Sequence, residues 1–275
     1  MKADLSLLYD EDCPLCRWYT GLFVKYGFLP EKGKIPYTNY IQSHPGTVNE
    51  TLAKNKIACV NNQTKEVTYG IDSLLFILGQ RFPVIRILGN FKPINVFLKL
   101  LYLLISYNRK IIVPTPVKKI DCACEPTKSI LWRAVFIIVI SLLTSLSVNW
   151  YFDLFLTEYM LNNPPHDLVL LSAQIGFQGL IFLLLKQENS YDYLGHLAFT
   201  SFLGSLLLVF FGVGIRFLGV LGIQAGFLPV VCYGIVFAFM FFEHKRRLGL
   251  KGWTWKLSLS WILFRIAIYP LVFQF

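Results

Sequence analysis

Leu5-Ser6-Leu7-Leu8-Tyr9-Asp10-Glu11-Asp12-Cys13-Pro14-Leu15-Cys16 decides how the N-terminal part of the chain is read. The apolar run Leu5 to Tyr9 stops at three acidic residues, as a buried strand ending in a loop does. After Pro14 the sequence LCRWYTGLFVKYG places Leu15, Trp18, Tyr19, Leu22, Phe23 and Tyr26 at helical spacing, with Gly27 as the stop. Cys13 and Cys16 therefore lie between a strand end and a helix start. There the free N–H groups and partial positive charge of the helix favour a thiolate on the first sulfur, the reactive species in disulfide exchange. Cys13 would attack and Cys16, one turn on, would resolve. Pro14 stiffens the entry and removes an N–H the helix does not need. Asp10, Glu11 and Asp12 oppose the thiolate, leaving the direction of the Cys13 shift open, and Asp10 or Asp12 could instead carry a proton. Half of a zinc ribbon has the same spacing as this CxxC.

Working outward, Lys34 to Tyr40 is a second strand and His44 to Asn55 a helix. Lys56 to Val60 and Glu66 to Tyr69 form a hairpin about Asn61-Asn62-Gln63, and Ile71 to Phe82 is again helical. The order strand, helix, strand, helix, hairpin, helix is that of an α/β domain of thioredoxin type. Residues 91–113 put Val96, Leu100, Leu103 and Leu104 on an apolar face, with Lys92, Lys99, Arg109 and Lys110 around it. The apolar core is too short to span, so it reads as an interfacial helix or as a helix covering the sheet. These elements make a domain of residues 1–112, followed by a linker, 113–129.

Composition places the rest in lipid. The 275 residues are 55% hydrophobic and only 15% charged, with a net charge of +10 and a mean hydropathy of +0.54. That excludes an ordinary soluble domain, disorder and collagen. Up to Lys128 there are 17 basic and 10 acidic residues, and beyond it 9 and 6. The basic residues form no aromatic-interleaved stripe, so anionic membrane lipid, not nucleic acid, is the partner they fit. Runs near 131–151, 167–185, 194–215, 221–242 and 256–274 each approach the ~20 residues of a membrane helix. They give an all-α bundle of five spans over residues 130–275, with the turn around 212–222 blurred by glycines.

Lys118, Lys119, Lys128 and Arg133 flank the first span, and Lys245, Arg246, Arg247, Lys251 and Lys256 follow the fourth. The positive-inside rule puts both regions, and the N-terminal domain, in the cytoplasm. No apolar stretch before Cys13 is long enough for a cleaved signal. The expectation is a multi-pass protein of the bacterial inner (cell) membrane.

The stretch Leu8 to Cys16 resembles the signature of the DCC family of thiol-disulfide oxidoreductases, in which an aspartate-rich turn precedes CPxC. Tyr69-Gly70-Ile71-Asp72-Ser73-Leu74-Leu75 is similar to the family's glycine-led helix after the hairpin. Leu101-Tyr102 with Tyr107-Asn108-Arg109 is similar to its closing helix. The resemblance covers residues 4–112 and implies a thioredoxin-like fold with Cys13 and Cys16 as the redox pair. Glu11 stands where the family commonly has glycine and Ser73 where it has alanine. No proline precedes Lys56 to Val60, so peptide-substrate recognition is not implied.

Asp121-Cys122-Ala123-Cys124 lies outside the resemblance. Cys122 and Cys124 could form a second redox pair exchanging with Cys13/Cys16, complete a four-thiolate zinc site with them, or be lipidated or inert juxtamembrane cysteines. His44 and His244 are possible further ligands, whereas Cys59 and Cys232 read as packing residues. In the spans, Arg265 is a costly charge, and Gln174 and Gln178 share a helical face. They could line a pocket for a quinone headgroup or join helices by hydrogen bonds. Glu243 to Arg247 reads as a topogenic cytoplasmic end, and Trp150, Trp253 and Trp255 as interface anchors.

The chemistry requires no cofactor, with a quinone or zinc as the two that the residues could take. Three functions compete. The first is a membrane-anchored thiol-disulfide oxidoreductase acting on a protein thiol or disulfide. The second is a non-catalytic membrane subunit whose domain docks a protein partner or complex. The third is electron transfer through the bilayer by way of Cys122/Cys124.

Overall fold

Alternation within β1 (Leu5–Tyr9) sends side chains to both faces of a sheet. Leu5 and Leu7 pack with Leu29, Ile57, Cys59 and Ile77 on one side, while Leu8 packs with Tyr40, Val48, Ala58 and Val60 on the other. Burying each such leucine contributes about 1.5–3 kcal/mol. β1 pairs parallel with β2 (Lys34–Pro36) and antiparallel with β3 (Ala58–Asn61), and β3 pairs antiparallel with β4 (Val67–Tyr69). The strand order is β2-β1-β3-β4. The computed structural model describes residues 4–116, 129–157, 164–224 and 226–272. The chain divides into two units, Met1–Trp132 and Arg133–Phe275.

In the first unit α1 (Pro14–Lys25) starts at Pro14, as its sequence predicts. It ends where Gly27 takes φ 71° and the N–H groups of Gly27 and Phe28 return to the carbonyls of Val24 and Phe23, a glycine-terminated C-cap. The second expected strand is shorter. Pro36 cannot donate to a ladder, its φ of −56° suits helix entry, and α2 (Tyr37–Ser43) begins directly after it. The expected helix from His44 reduces to α3 (Glu50–Asn55), because Pro45 and Gly46 occupy a turn and Asn49 caps the helix through Leu52 N–H.

The hairpin forms as the sequence predicts. After it Gly70, at φ 65°, turns the chain into α4 (Ile71–Gly79), and a Cβ there would lie 3.2 Å from the Tyr102 ring. A separate helix, α5 (Pro83–Asn90), starts on Pro83 and was not anticipated. α6 (Lys92–Ile112) follows at a 92° bend.

Three side chains fasten α6. Tyr102 Oη accepts the Ile57 N–H at 2.8 Å, Ser106 donates to the Asn55 carbonyl, and Arg109 reaches Asp10. Their i, i+4, i+7 spacing puts them on one face. The opposite face leaves Val96, Phe97 and Leu100 more than half exposed.

The second unit is helical: α7 (Ile130–Phe155), α8 (Pro164–Leu184), α9 (Ser190–Val220), α10 (Leu228–Lys251) and α11 (Lys256–Val272). Among the described residues α7, α9 and α10 are each long and apolar enough to cross a membrane. The chain is thus a membrane protein with three such helices, or four if α5 and α6 together count as one broken span. The five expected spans correspond to five helices, but two fall short. The apolar part of α8 is Leu168–Leu184. α11 has 17 residues, which at 1.5 Å each is about 26 Å against a ~30 Å hydrocarbon core.

The glycines around 212–219 do not break the chain, since α9 runs through them to Val220 and the turn falls after it. Gly212 admits the Trp150 ring, 2.7 Å from where a Cβ would stand, and Gly204 admits Met240. Small residues of this kind permit close helix contact where no hydrophobic effect drives it.

Candidate functional site

Cys13 is the N-cap residue of α1, directly beyond the end of β1, and its Sγ accepts the Cys16 N–H at 3.3 Å. The Cys16 thiol also donates to Cys13. This bond lowers the Cys13 thiol to about 7; burial opposes it, while the Cys16 N–H and the Arg109 charge add to it and Asp10 subtracts. Cys16, the donor in that bond and buried as well, is raised. The thiolate thus belongs on Cys13 and the proton on Cys16. Both are free thiols, 1% and 6% exposed.

The acidic turn does not act as three equivalent charges. Asp10 Oδ2 accepts Arg109 Nη2 at 2.7 Å, with both side chains 7% exposed, and Asp10 Oδ1 accepts the Asp12 N–H at 3.0 Å. Glu11 is exposed and accepts from Thr38. The Asp10 charge opposing Cys13 is therefore countered by a buried guanidinium, which adds to the lowering that comes first from Cys16. Of the two readings of residues 91–113, an interfacial helix or a helix covering the sheet, the face of α6 that carries Arg109 follows the second: Arg109 is buried, not one of the cations around an apolar face. The available signal was the polar series Tyr102, Ser106, Arg109 within an apolar helix.

A cavity of about 320 Å³ adjoins Cys16 between α1, α4 and α6. Asp10, Tyr19, Lys56, Tyr102, Ser106 and Arg109 are among its polar groups, and Leu74, Leu98, Leu101 and Ile105 form part of its apolar wall. Cys59, in β3, has only burial acting on it, which pushes its thiol up to about 12. His44 stacks on Tyr40. Cys122 and Cys124 lie outside the described residues, as do Lys118, Lys119 and Lys128. Among the described residues no group of three or more His, Cys, Asp or Glu could hold a metal ion.

In the second unit the polar residues expected within the spans, Arg265, Gln174 and Gln178, fall into two places. Arg265 lines a cavity of about 590 Å³ with Thr144, Ser145, Ser201, Ser205 and Tyr233, its guanidinium over the Trp261 ring. Gln178 instead accepts from Tyr193 Oη at 2.7 Å and meets Ser260. Gln174 is buried, and its Nε2 has no partner among the described residues.

The segment read as a cytoplasmic loop after the fourth span is helical, because α10 continues to Lys251. This turns His244 and Arg247, three residues apart, inward to 1% and 2% exposure. Arg247 donates to Glu243 at 2.7 Å and faces His196 Nδ1 at 3.0 Å, and His244 faces Ser258. Trp253 packs edge-on against Phe182 and Tyr193. Comparison with protein-family models, with characterised proteins and with solved structures found no match.

Proposed function

We propose that the N-terminal unit is a thiol-disulfide oxidoreductase domain of thioredoxin type, carried by a membrane-spanning helical unit, and that Cys13 and Cys16 are its redox pair. The observation that carries this is the position of Cys13 as N-cap of α1, where its Sγ accepts the Cys16 N–H beside a buried Asp10–Arg109 pair. Strand order β2-β1-β3-β4, with β1 and β2 parallel and the hairpin antiparallel, is in keeping with the reading. So is the resemblance to the DCC family. Cys13 thiolate attacks a disulfide, a mixed disulfide forms, and Cys16, after losing its proton, displaces the substrate thiol.

With α8 crossing as well as α7, α9 and α10, an even number of spans separates Arg133 from Lys245, and the basic residues then favour a bacterial inner membrane with the domain on the cytoplasmic, anionic-lipid side. At the end of α10 that count rests on Lys245, Arg246, Arg247, Lys251 and Lys256, of which Arg247 is buried in the fold. The test is turnover of a reporter disulfide by the purified full chain and by Cys13→Ser. Loss of turnover in the variant is expected, and equal rates would remove the catalytic assignment.

Burial of both sulfurs favours a second reading, a non-catalytic subunit that docks a protein partner. Under it, purification in mild detergent recovers a stoichiometric partner even with Cys13→Ser/Cys16→Ser, and a chain that always purifies alone counts against it.

A further inference from the structure

The reactive sulfurs are closed to a large partner and open to a small one. Cys13 is 1% exposed, so a folded protein disulfide cannot align with its Sγ without displacing neighbouring groups. Cys16 instead forms part of the wall of the 320 Å³ cavity. Two wall residues of that cavity, Leu101 and Ile105, are also 39% and 40% exposed. They mark an apolar rim on α6. Phe97, 63% exposed, precedes Leu101 by one helical turn, so the exposed apolar face of α6 runs up to this rim. Such a face suits lipid rather than water.

Inside, the wall mixes polar and apolar side chains. Tyr19, Tyr102, Lys56 and Arg109 can all donate, and the single carboxylate, Asp10, is already paired with Arg109. Ile71, Leu74 and Leu98 belong to the same wall. A charged peptide thiol such as a glutathione-like molecule would strand ionic groups against these residues, at a cost of several kcal/mol. A flat apolar molecule bearing carbonyl oxygens offers apolar faces to these residues and acceptors to the donors among them.

From this we infer that the cavity behind Cys16 takes a lipid-soluble quinone, which enters past Leu101 and Ile105 and oxidises the Cys13/Cys16 dithiol. The inference rests on the redox reading above and deepens it by naming the oxidant. The balance is closed. The Cys13 thiolate takes the Cys16 proton, the resulting Cys16 thiolate adds to the quinone and forms a carbon–sulfur bond, and the enolate oxygen so created takes that proton back from Cys13. Cys13 thiolate then attacks Cys16 Sγ. The sulfur–sulfur bond forms, the carbon–sulfur bond breaks, and the electron pair leaves with the hydroquinone monoanion, which takes one proton from solvent. Two electrons pass from the sulfurs to the ring.

The experiment uses the purified full chain, reduced and freed of reductant, mixed with a short-chain benzoquinone. Quinone absorbance is followed together with alkylation mass mapping of every cysteine. Cys13→Ser/Cys16→Ser supplies the background from the other thiols. The expected result is one quinone reduced per Cys13/Cys16 disulfide formed above that background. Leu101→Trp, which fills the rim, should lower the rate by about tenfold or more, and so should Ile105→Trp. Gln63→Trp, at the exposed hairpin tip, should leave it unchanged.

A parallel sample equilibrated in a thiol-disulfide buffer separates the two levels of the argument. If the disulfide forms there but no quinone is consumed above background, or if both rim variants react at the wild-type rate, the quinone inference is wrong and the redox reading stands. If no Cys13–Cys16 disulfide forms in either sample, the redox reading itself falls.

Discussion

Cys13 and Cys59 lie in the same unit, 1% and 2% exposed, and their thiols move in opposite directions. Cys59 sits in β3 with burial as the influence on it, and its thiol is pushed up to about 12. Cys13 carries a desolvation penalty too, yet it is lowered to about 7, because the start of α1 brings it the Cys16 thiol and N–H and the fold brings it Arg109. Burial alone thus makes an inert thiol. What makes a reactive one is the set of donors and charges that accompany burial, and that set exists at only one of these two places.

The comparison can be broken most strongly at Arg109. Arg109→Met leaves Asp10 buried without its guanidinium and should cost about 3–5 kcal/mol in denaturant unfolding. It should also raise the Cys13 titration midpoint, since a lowering influence is lost and Asp10 is no longer countered. Asp10→Asn/Arg109→Met should be less destabilised than either single change, because no unpaired charge remains. Strict additivity would show that the pair is not coupled.

Cys16→Ala comes next. Removing the Cys16 thiol, the strongest influence lowering Cys13, should move the Cys13 midpoint from about 7 back toward the ordinary thiol value, read from alkylation rate against pH. A midpoint that stays near 7 would assign the lowering to Arg109 and α1 alone. The smallest effect is expected from Cys59→Ala. A small buried side chain is trimmed at a cost of about 1 kcal/mol, and the Cys13 midpoint does not move. In wild type, alkylation of Cys13 should follow thiolate formation through pH 7, while Cys59 stays unmodified across the same range.

How much of this was legible in the sequence follows from the range of each interaction. The strand, acidic turn and CPLC helix start are local, and their readings agree with the observed elements from Leu5 to Lys25. The β3–β4 hairpin is local as well. The partnership of Asp10 with Arg109 spans 99 positions, and no local pattern encodes it. Arg109 carries the same charge as its neighbour Lys110, and only the docking of Tyr102 and Ser106 turns it inward.

Pro36 misled because it ends a strand as readily as it begins a helix, and β2 uses it for both. In the second unit the cluster Glu243 to Arg247 reads as a loop when charges are counted. Two further helical turns of α10 place His244 and Arg247 inside instead, where Glu243, His196 and Ser258 meet them.

The most direct measurement is a redox titration of the full chain in thiol-disulfide buffers, quenched with an alkylating reagent and read by mass mapping. The account predicts that Cys13 and Cys16 lose alkylation together in one two-electron transition, as a disulfide linking the two, while Cys59 remains a free thiol throughout. Independent oxidation of the two, or a pair that stays reduced in every buffer, would contradict it.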